Sequence, residues 1–159
     1  MADADARVGI RFRAACLEDV EAIVDLLASD ALGAKREDPA RPLGEGYLDA
    51  FRAVDADPNQ LLLVGLLEDE VVAVLQLTFI PSLTYQGSWR AQMEGVRVAS
   101  SVRGQGIGEL LVSDAIDRAR ARGCRMVQLT SDRQRPRAIA FYERLGFVGT
   151  HVGMKLHLR

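Results

Sequence analysis

The six residues Arg103-Gly104-Gln105-Gly106-Ile107-Gly108 carry the clearest chemistry in this chain. They follow an alternating apolar segment, Met93 to Val98, and open a helical pattern that runs to about Arg122. Glycines at alternate positions leave no side chain to block a ligand where the strand turns into the helix. The helix behind them offers free N–H groups and the positive end of its dipole. That combination suits a phosphate group. Arg103 adds a fixed charge with several donors. A glycine-rich turn can also cap a helix with no ligand, and these six residues alone leave both readings open.

Two familiar phosphate motifs are excluded by spacing. A P-loop needs Lys and Ser or Thr after its last glycine, and Gly108 is followed by Glu109 and Leu110. A dinucleotide fingerprint needs Gly-x-Gly-x-x-Gly after a first strand, whereas here the spacing is Gly-x-Gly-x-Gly, late in the chain.

The surrounding pattern predicts the elements that hold this turn. Val8, Ile10 and Phe12 alternate with polar or small residues as a short strand. Asp19 through Ser29 has helical apolar spacing, and Glu45 to Ala56 reads as a second helix. Glycines and prolines punctuate Asp30 to Gly46. Leu61 to Leu67 and Val71 to Ile80 read as a hairpin closed by Glu68-Asp69-Glu70. Pro81 to Gly87 reads as a loop and Trp89 to Ala99 as a fourth strand entering the glycine turn. After the next helix, Met126 to Thr130 is a fifth strand, Pro136 to Leu145 a short helix, and Phe147 onward one or two further strands. This mixed order predicts an α+β fold, with a mixed, mostly antiparallel sheet flanked by helices.

Composition narrows the function. The chain has 159 residues, 48% hydrophobic and 26% charged, with net charge −2. One domain spanning residues 1–159 is expected, with neither nucleic acid nor membrane as the default partner. Cys16 and Cys124 are too few and too far apart for a disulfide scaffold or a metal site. No apolar run reaches membrane-spanning length. The acidic, alanine-rich stretch Met1 to Arg7 is unlike a secretion signal, so a cytoplasmic location is expected.

Arg103 through Gly108 resembles the pyrophosphate-binding motif of the GNAT superfamily of N-acetyltransferases, Gln/Arg-x-x-Gly-x-Gly/Ala. Ala138-Ile139-Ala140-Phe141-Tyr142-Glu143-Arg144-Leu145-Gly146-Phe147 resembles that family's second signature. The two motifs in this order, and the predicted elements, extend the resemblance over nearly the whole chain. One departure stands out: Arg135 occupies the position where the family usually has Asn.

The resemblance implies acetyl-CoA as co-substrate, no metal, and direct attack of a primary amine on the thioester. The acceptor is a small-molecule or peptide amine. A homodimer is also implied as a possibility. A lysine-type amine has a pKa of about 10.4, so it must lose a proton before attack. By resemblance, Glu94 is the base and Tyr142 the acid that protonates the departing thiolate. The backbone of Val96 and Val98 holds the pantetheine arm and the carbonyl oxygen. Arg97, Arg103, Gly104, Gln105, Gly106, Ile107, Gly108 and Arg135 complete the implied cofactor contacts. On residue type alone, Glu94 could equally be a strand carboxylate paired with Arg90 or Arg97, and Tyr142 a core aromatic. Phe141 and Phe147 read as core. The arginines from Arg118 to Arg137 read as solvated surface, with one or two contacts to phosphates. A non-catalytic acyl-CoA sensor on the same fold is the rival function. The acidic residues Asp30, Glu37, Asp38 and Glu45 suggest a cationic acceptor.

Overall fold

The computed structural model describes residues 9–158. The position of Val8 therefore lies outside the described residues. The elements are β1 (Ile10–Ala14), α1 (Val20–Ala28), α2 (Glu45–Ala56), β2 (Gln60–Leu67), β3 (Glu70–Pro81), β4 (Trp89–Val98), α3 (Ile107–Ala121), β5 (Cys124–Leu129) and α4 (Pro136–Arg144). The strands form one sheet in the order β1-β2-β3-β4-β5. The first four pair antiparallel, and β5 runs parallel to β4, reached through the crossover helix α3. The expected α+β fold with a mixed, mostly antiparallel sheet is the observed one.

Both faces of the central strands are buried, which explains the nearly unbroken apolar runs in β2 and β3. Leu63, Leu75, Leu77 and Met93 face α3, against Ile107, Leu111 and Ala115. Val64 and Val74 face α1 and α2, against Val24 and Phe51. The β2–β3 turn places Glu68 and Asp69 at φ 49° and 68°, the left-handed pair that a two-residue hairpin needs. Gly65 lies directly under Phe12; an added Cβ would sit 2.9 Å from its ring.

Two expectations are corrected. The expected loop Pro81 to Gly87 starts one residue later, because Pro81 closes β3, and it contains a tight turn at Thr84–Gly87 in which Tyr85 and Gln86 take left-handed φ of 52° and 63°. Residues 147–158 form no strand, although Val148, Thr150, Val152, Met154, Leu156 and Leu158 alternate perfectly with polar or small residues. Alternation makes a strand only when the segment docks on an edge, and Gly149 and Gly153 weaken this one. Here β5 pairs with β4 alone among the described residues, and Val152, Met154, Leu156 and Leu158 stay exposed.

A half-buried ion pair ties β1 to the start of α1. Arg13 Nη1 and Nη2 donate to Asp19 Oδ2 and Oδ1 at 2.6 and 3.0 Å, and the Cys16 N–H donates to Oδ2 at 2.8 Å. The arginine bonds, ahead of the opposing effect of burial, hold the Asp19 carboxyl below its ordinary range. A depressed carboxylate stabilises the fold above its unfolded pKa of about 3.9, and that contribution fades as pH falls through the folded value. Asp19→Asn should therefore lower stability at pH 7 by about 1.5–3 kcal/mol, the range for hydrogen bonds to charged groups. Melts from pH 7 down to 3 should show the gap to wild type closing; a gap constant with pH would contradict this account.

Candidate active site

The site grows from a defect in β4. Up to Met93, β4 pairs with β3 on one side and β5 on the other; the last β4–β5 pair is Met93 with Leu129. Beyond it, β4 keeps only its β3 neighbour, so the β5 side of residues 94–98 is open. On the β3 side the register slips: Glu94 opposes Gln76, but Arg97 opposes Val74. Gly95 and Val96 thus face Leu75 alone, a β-bulge, and Gly95 takes φ 63° to make it. The Gly95 Cα lies against α1, where an added Cβ would be 3.6 Å from Leu27 Cδ2.

The bulge decides which side chains meet. In a regular strand, residues three apart point to opposite faces. With the extra residue, Glu94 and Arg97 both neighbour β3 residues on the α1 face, beside Gln76 and Val74. Glu94 is exposed, and its carboxylate forms no ion pair or hydrogen bond among the described residues. Pairing with Arg90 or Arg97, the other reading of its sequence, is not what the structure has. Arg97 is nine-tenths buried, and its Nε lies 3.2 Å from Asp30 Oδ2. The N–H is not aligned with that oxygen, so Nε is left without a hydrogen bond. Its Nη1 donates to the Val96 carbonyl at 2.9 Å.

The glycine turn lies at the other end of this opening. Gly104 and Gly106 have φ 78° and 81°. An added Cβ at either would meet nothing within 4 Å, so the approach is clear. Gly106 is the N-cap of α3 and no side chain caps that end. The first-turn N–H groups are therefore available to an outside acceptor. Arg103 and Gln105 are exposed, whereas Ile107 is buried in the core and offers the opening only its backbone. Gly108 brings three elements together: an added Cβ would be 3.5 Å from Phe141 and 3.6 Å from Val98.

Tyr142 projects from α4, whose start is set by Pro136 in the first turn. Its ring meets Phe141 and Phe147 edge-on, with centroids 5.2 and 5.8 Å apart. Both phenylalanines are partly buried, packed against the main core. Burial pushes the Tyr142 phenol above its ordinary value, while the cations of Arg97 and Arg135 pull the other way. Arg135 itself turns to Asp30, with which it makes a close ion pair. The structure thus gathers Tyr142, Arg97, Arg135 and Asp30, and leaves Glu94 and the glycine turn on either side. Asp30 is the member whose part the sequence did not reveal. In sequence it stood only among the acids Asp30, Glu37, Asp38 and Glu45, which suggested a cationic acceptor rather than a partner for Arg97 and Arg135.

The arginines of α3 are engaged within their own surroundings. Arg118 pairs with Asp114 at 2.6 Å and Arg120 with Asp117 at 2.8 Å. Arg122 stacks over Phe79 and Trp89. No helix among the described residues is long and apolar enough to cross a membrane.

Comparison with known proteins agrees with this geometry. The profile of the Acetyltransferase (GNAT) family matches residues 20–147. The chain belongs to that family. Aminoalkylphosphonate N-acetyltransferase of Salmonella typhimurium is 30% identical over 107 residues, covering 67% of this chain and 69% of that protein. Glucosamine 6-phosphate N-acetyltransferase of Trypanosoma brucei brucei is 34% identical over 88 residues, 55% of this chain and 58% of that one. Among solved structures, one described as a transcriptional regulator from Bacillus halodurans C-125 is 51% identical, with a TM-score of 0.92. It covers 94% of this chain and 99% of its own. That family is one of acetyltransferases, and both of these curated relatives are named as N-acetyltransferases.

The charges around Tyr142 give a prediction. Arg97 and Arg135 favour the phenolate, so removing one cation should raise the phenol further. In Arg97→Gln, NMR of ring-labelled tyrosine should show Tyr142 titrating at higher pH than in wild type. A titration that moves down, or not at all, would mean that the Arg97 charge does not act on the ring.

Proposed function

We propose that this chain transfers the acetyl group of acetyl-CoA to a primary amine by direct attack. The observation that carries this reading is the opening beside residues 94–98 of β4, running from the bulge to the uncapped start of α3. An acyl-pantetheine arm fits there as an added strand. Its amides would pair with the Val96 N–H and the Val98 backbone, and its pyrophosphate would lie on the turn Arg103–Gly108. The N–H of Val96 is the donor for the thioester oxygen as it gains charge.

The roles of the side chains follow. Glu94, exposed and unpaired at the bulge, takes the proton from the incoming amine, directly or through water. Tyr142 gives its proton to the sulfur as the C–S bond breaks. Burial suits it to that part, because a phenol held above its ordinary range is protonated throughout the physiological span. Arg97 and Arg135 keep it from becoming too weak an acid. Arg135, held by Asp30, is a positioning residue in this scheme rather than a phosphate ligand. The names of the two N-acetyltransferase relatives specify amine-bearing small molecules, which favours such an acceptor over a peptide.

A second reading has one observation in its favour: the solved structure at 51% identity is described as a transcriptional regulator. A sensor would bind acetyl-CoA without consuming it. Release of free thiol from acetyl-CoA, followed with a panel of small amines, separates the two. Turnover supports the transferase; binding without turnover supports the sensor. Gly106→Val places a β-branched residue at φ 81° over the turn, and calorimetry should show coenzyme A binding lost while the melt stays cooperative. Unchanged affinity would remove the turn from the site.

Tyr142→Phe isolates the acid. The ring and its contacts with Phe141 and Phe147 remain, so stability should change little. The rate constant kcat should fall about 10²–10⁴-fold, the usual contribution of a positioned general acid, with KM for acetyl-CoA nearly constant. An acyl donor with a more acidic thiol should narrow the loss. Full activity, or a loss confined to acetyl-CoA binding, would take the acid role away from Tyr142.

A further inference from the structure

The sheet ends on an open edge, and the layer beside that edge is unfinished. β5 pairs with β4 alone among the described residues, so the outward N–H and C=O groups of Cys124–Leu129 have no strand to meet. Neither β5 nor α4 contains a buried residue, whereas β2, β3, β4 and α3 all do. Val127 and Leu129 of β5, with Leu145 and Phe147 after α4, pack against the main core only in part.

The same molecule carries a piece that matches this edge. Of the eight large apolar residues that stay exposed among the described residues, five lie in the segment after α4: Val148, Val152, Met154, Leu156 and Leu158. An exposed apolar cluster of this kind marks a surface that meets another. Its alternation with Gly153, Lys155 and His157 fits a strand with one apolar face. The register also fits. With the segment antiparallel to β5, Met154 opposes Leu129 and Leu156 opposes Val127, so residues 154–158 span 125–129. Val127 and Leu129 pair with Ala91 and Met93 on the α3 face, and the apolar side chains of the segment would join them there. Lys155 and His157 would fall on the other face, beside Gln128 and Met126. A slip of one residue would put the polar set over the apolar layer instead.

The segment does not take this place on its own chain. Gly153 passes Thr130, just beyond the end of β5, where an added Cβ would be 3.7 Å from Thr130 Cγ2. There the segment departs from the edge: Met154, Leu156 and Leu158 are 90%, 85% and 89% exposed. A strand from an unrelated protein would cover the edge and leave the segment bare. A second copy of this chain answers both needs at once.

We propose that residues 147–158 of one copy add a sixth strand to the β5 edge of a second copy, which returns the same strand to the first. Such an exchange is isologous, so a two-fold pair closes with no edge and no apolar segment left over. The exchanged strand also completes the layer formed by β5 and α4. The pairing does not depend on the transferase reading, and its test reads no activity.

Sedimentation should show a dimer that dissociates on dilution. Leu156→Asp puts a charge into the apolar layer and should raise the dimer Kd by roughly tenfold or more, whereas Leu156→Ile should keep the dimer. Leu156 is exposed on the single chain, so both variants should retain the circular dichroism of the wild type. A second measurement locates the contact. Gln128→Cys and Lys155→Cys are made as separate variants, each with Cys16 and Cys124 replaced by serine. The two are mixed, dissociated by dilution, reconcentrated and mildly oxidised. Exchange predicts a disulfide between the two variants that neither forms alone. A monomer at every concentration overturns the proposal, as does a dimer that Leu156→Asp leaves intact or one that yields no mixed disulfide. So does a double Gln128→Cys/Lys155→Cys variant that closes its disulfide within one chain, because the segment would then dock on its own β5.

Discussion

The parting of β4 from β5 after Met93 is the constraint on which the site depends. A strand flanked on both sides spends its N–H and C=O groups within the sheet. From Glu94 to Val98 half of those groups have no strand to pair with. Water satisfies them at little cost because the segment is partly exposed, and a ligand with its own amides can replace that water. The parallel crossover makes the gap possible. The chain must leave the end of β4, turn and run back through α3 before β5 can start, so the start of α3 is delivered to the mouth of the gap. Strand opening and helix terminus are therefore one consequence of one connection.

The bulge at Gly95 then sorts the side chains. Without it, Glu94 and Arg97 would face opposite sides of the sheet, one toward α1 and the other toward α3. With it, a carboxylate and a guanidinium stand on the same face, three residues apart yet too differently engaged to neutralise each other. Glu94 stays at the surface, whereas Arg97 is buried beside Asp30. A glycine is needed at the bulge for conformation, at φ 63°, and Leu27 of α1 packs beside it. One residue thus links the packing of α1 to the placement of the charged groups.

Much of this was legible in the sequence, and what was not has a physical cause. The helices and strands up to Leu145 were marked by apolar period and by punctuation such as Asp57-Pro58 and Gly123. The glycine turn and the aromatic pair Phe141-Tyr142 were likewise visible as motifs. The bulge was not, because a slipped register leaves only a glycine in an otherwise alternating run, and a register is a relation between two strands. The part of Asp30 was hidden for a similar reason: its partners Arg97 and Arg135 are 67 and 105 residues away. The segment after Phe147 misled in the opposite direction. Its alternation is the cleanest in the chain, yet alternation records what a strand could bury and not whether the segment docks on the open edge of β5.

The chemistry around Tyr142 depends on two opposed effects being held together. Burial alone would make its phenol a reluctant donor, and cations alone would lower its pKa toward losing the proton before it is needed. Arg97 and Arg135 act on it from two elements, and Asp30 bridges them. The carboxylate therefore does two things: it lets two like charges approach the ring, and it blunts their effect on it.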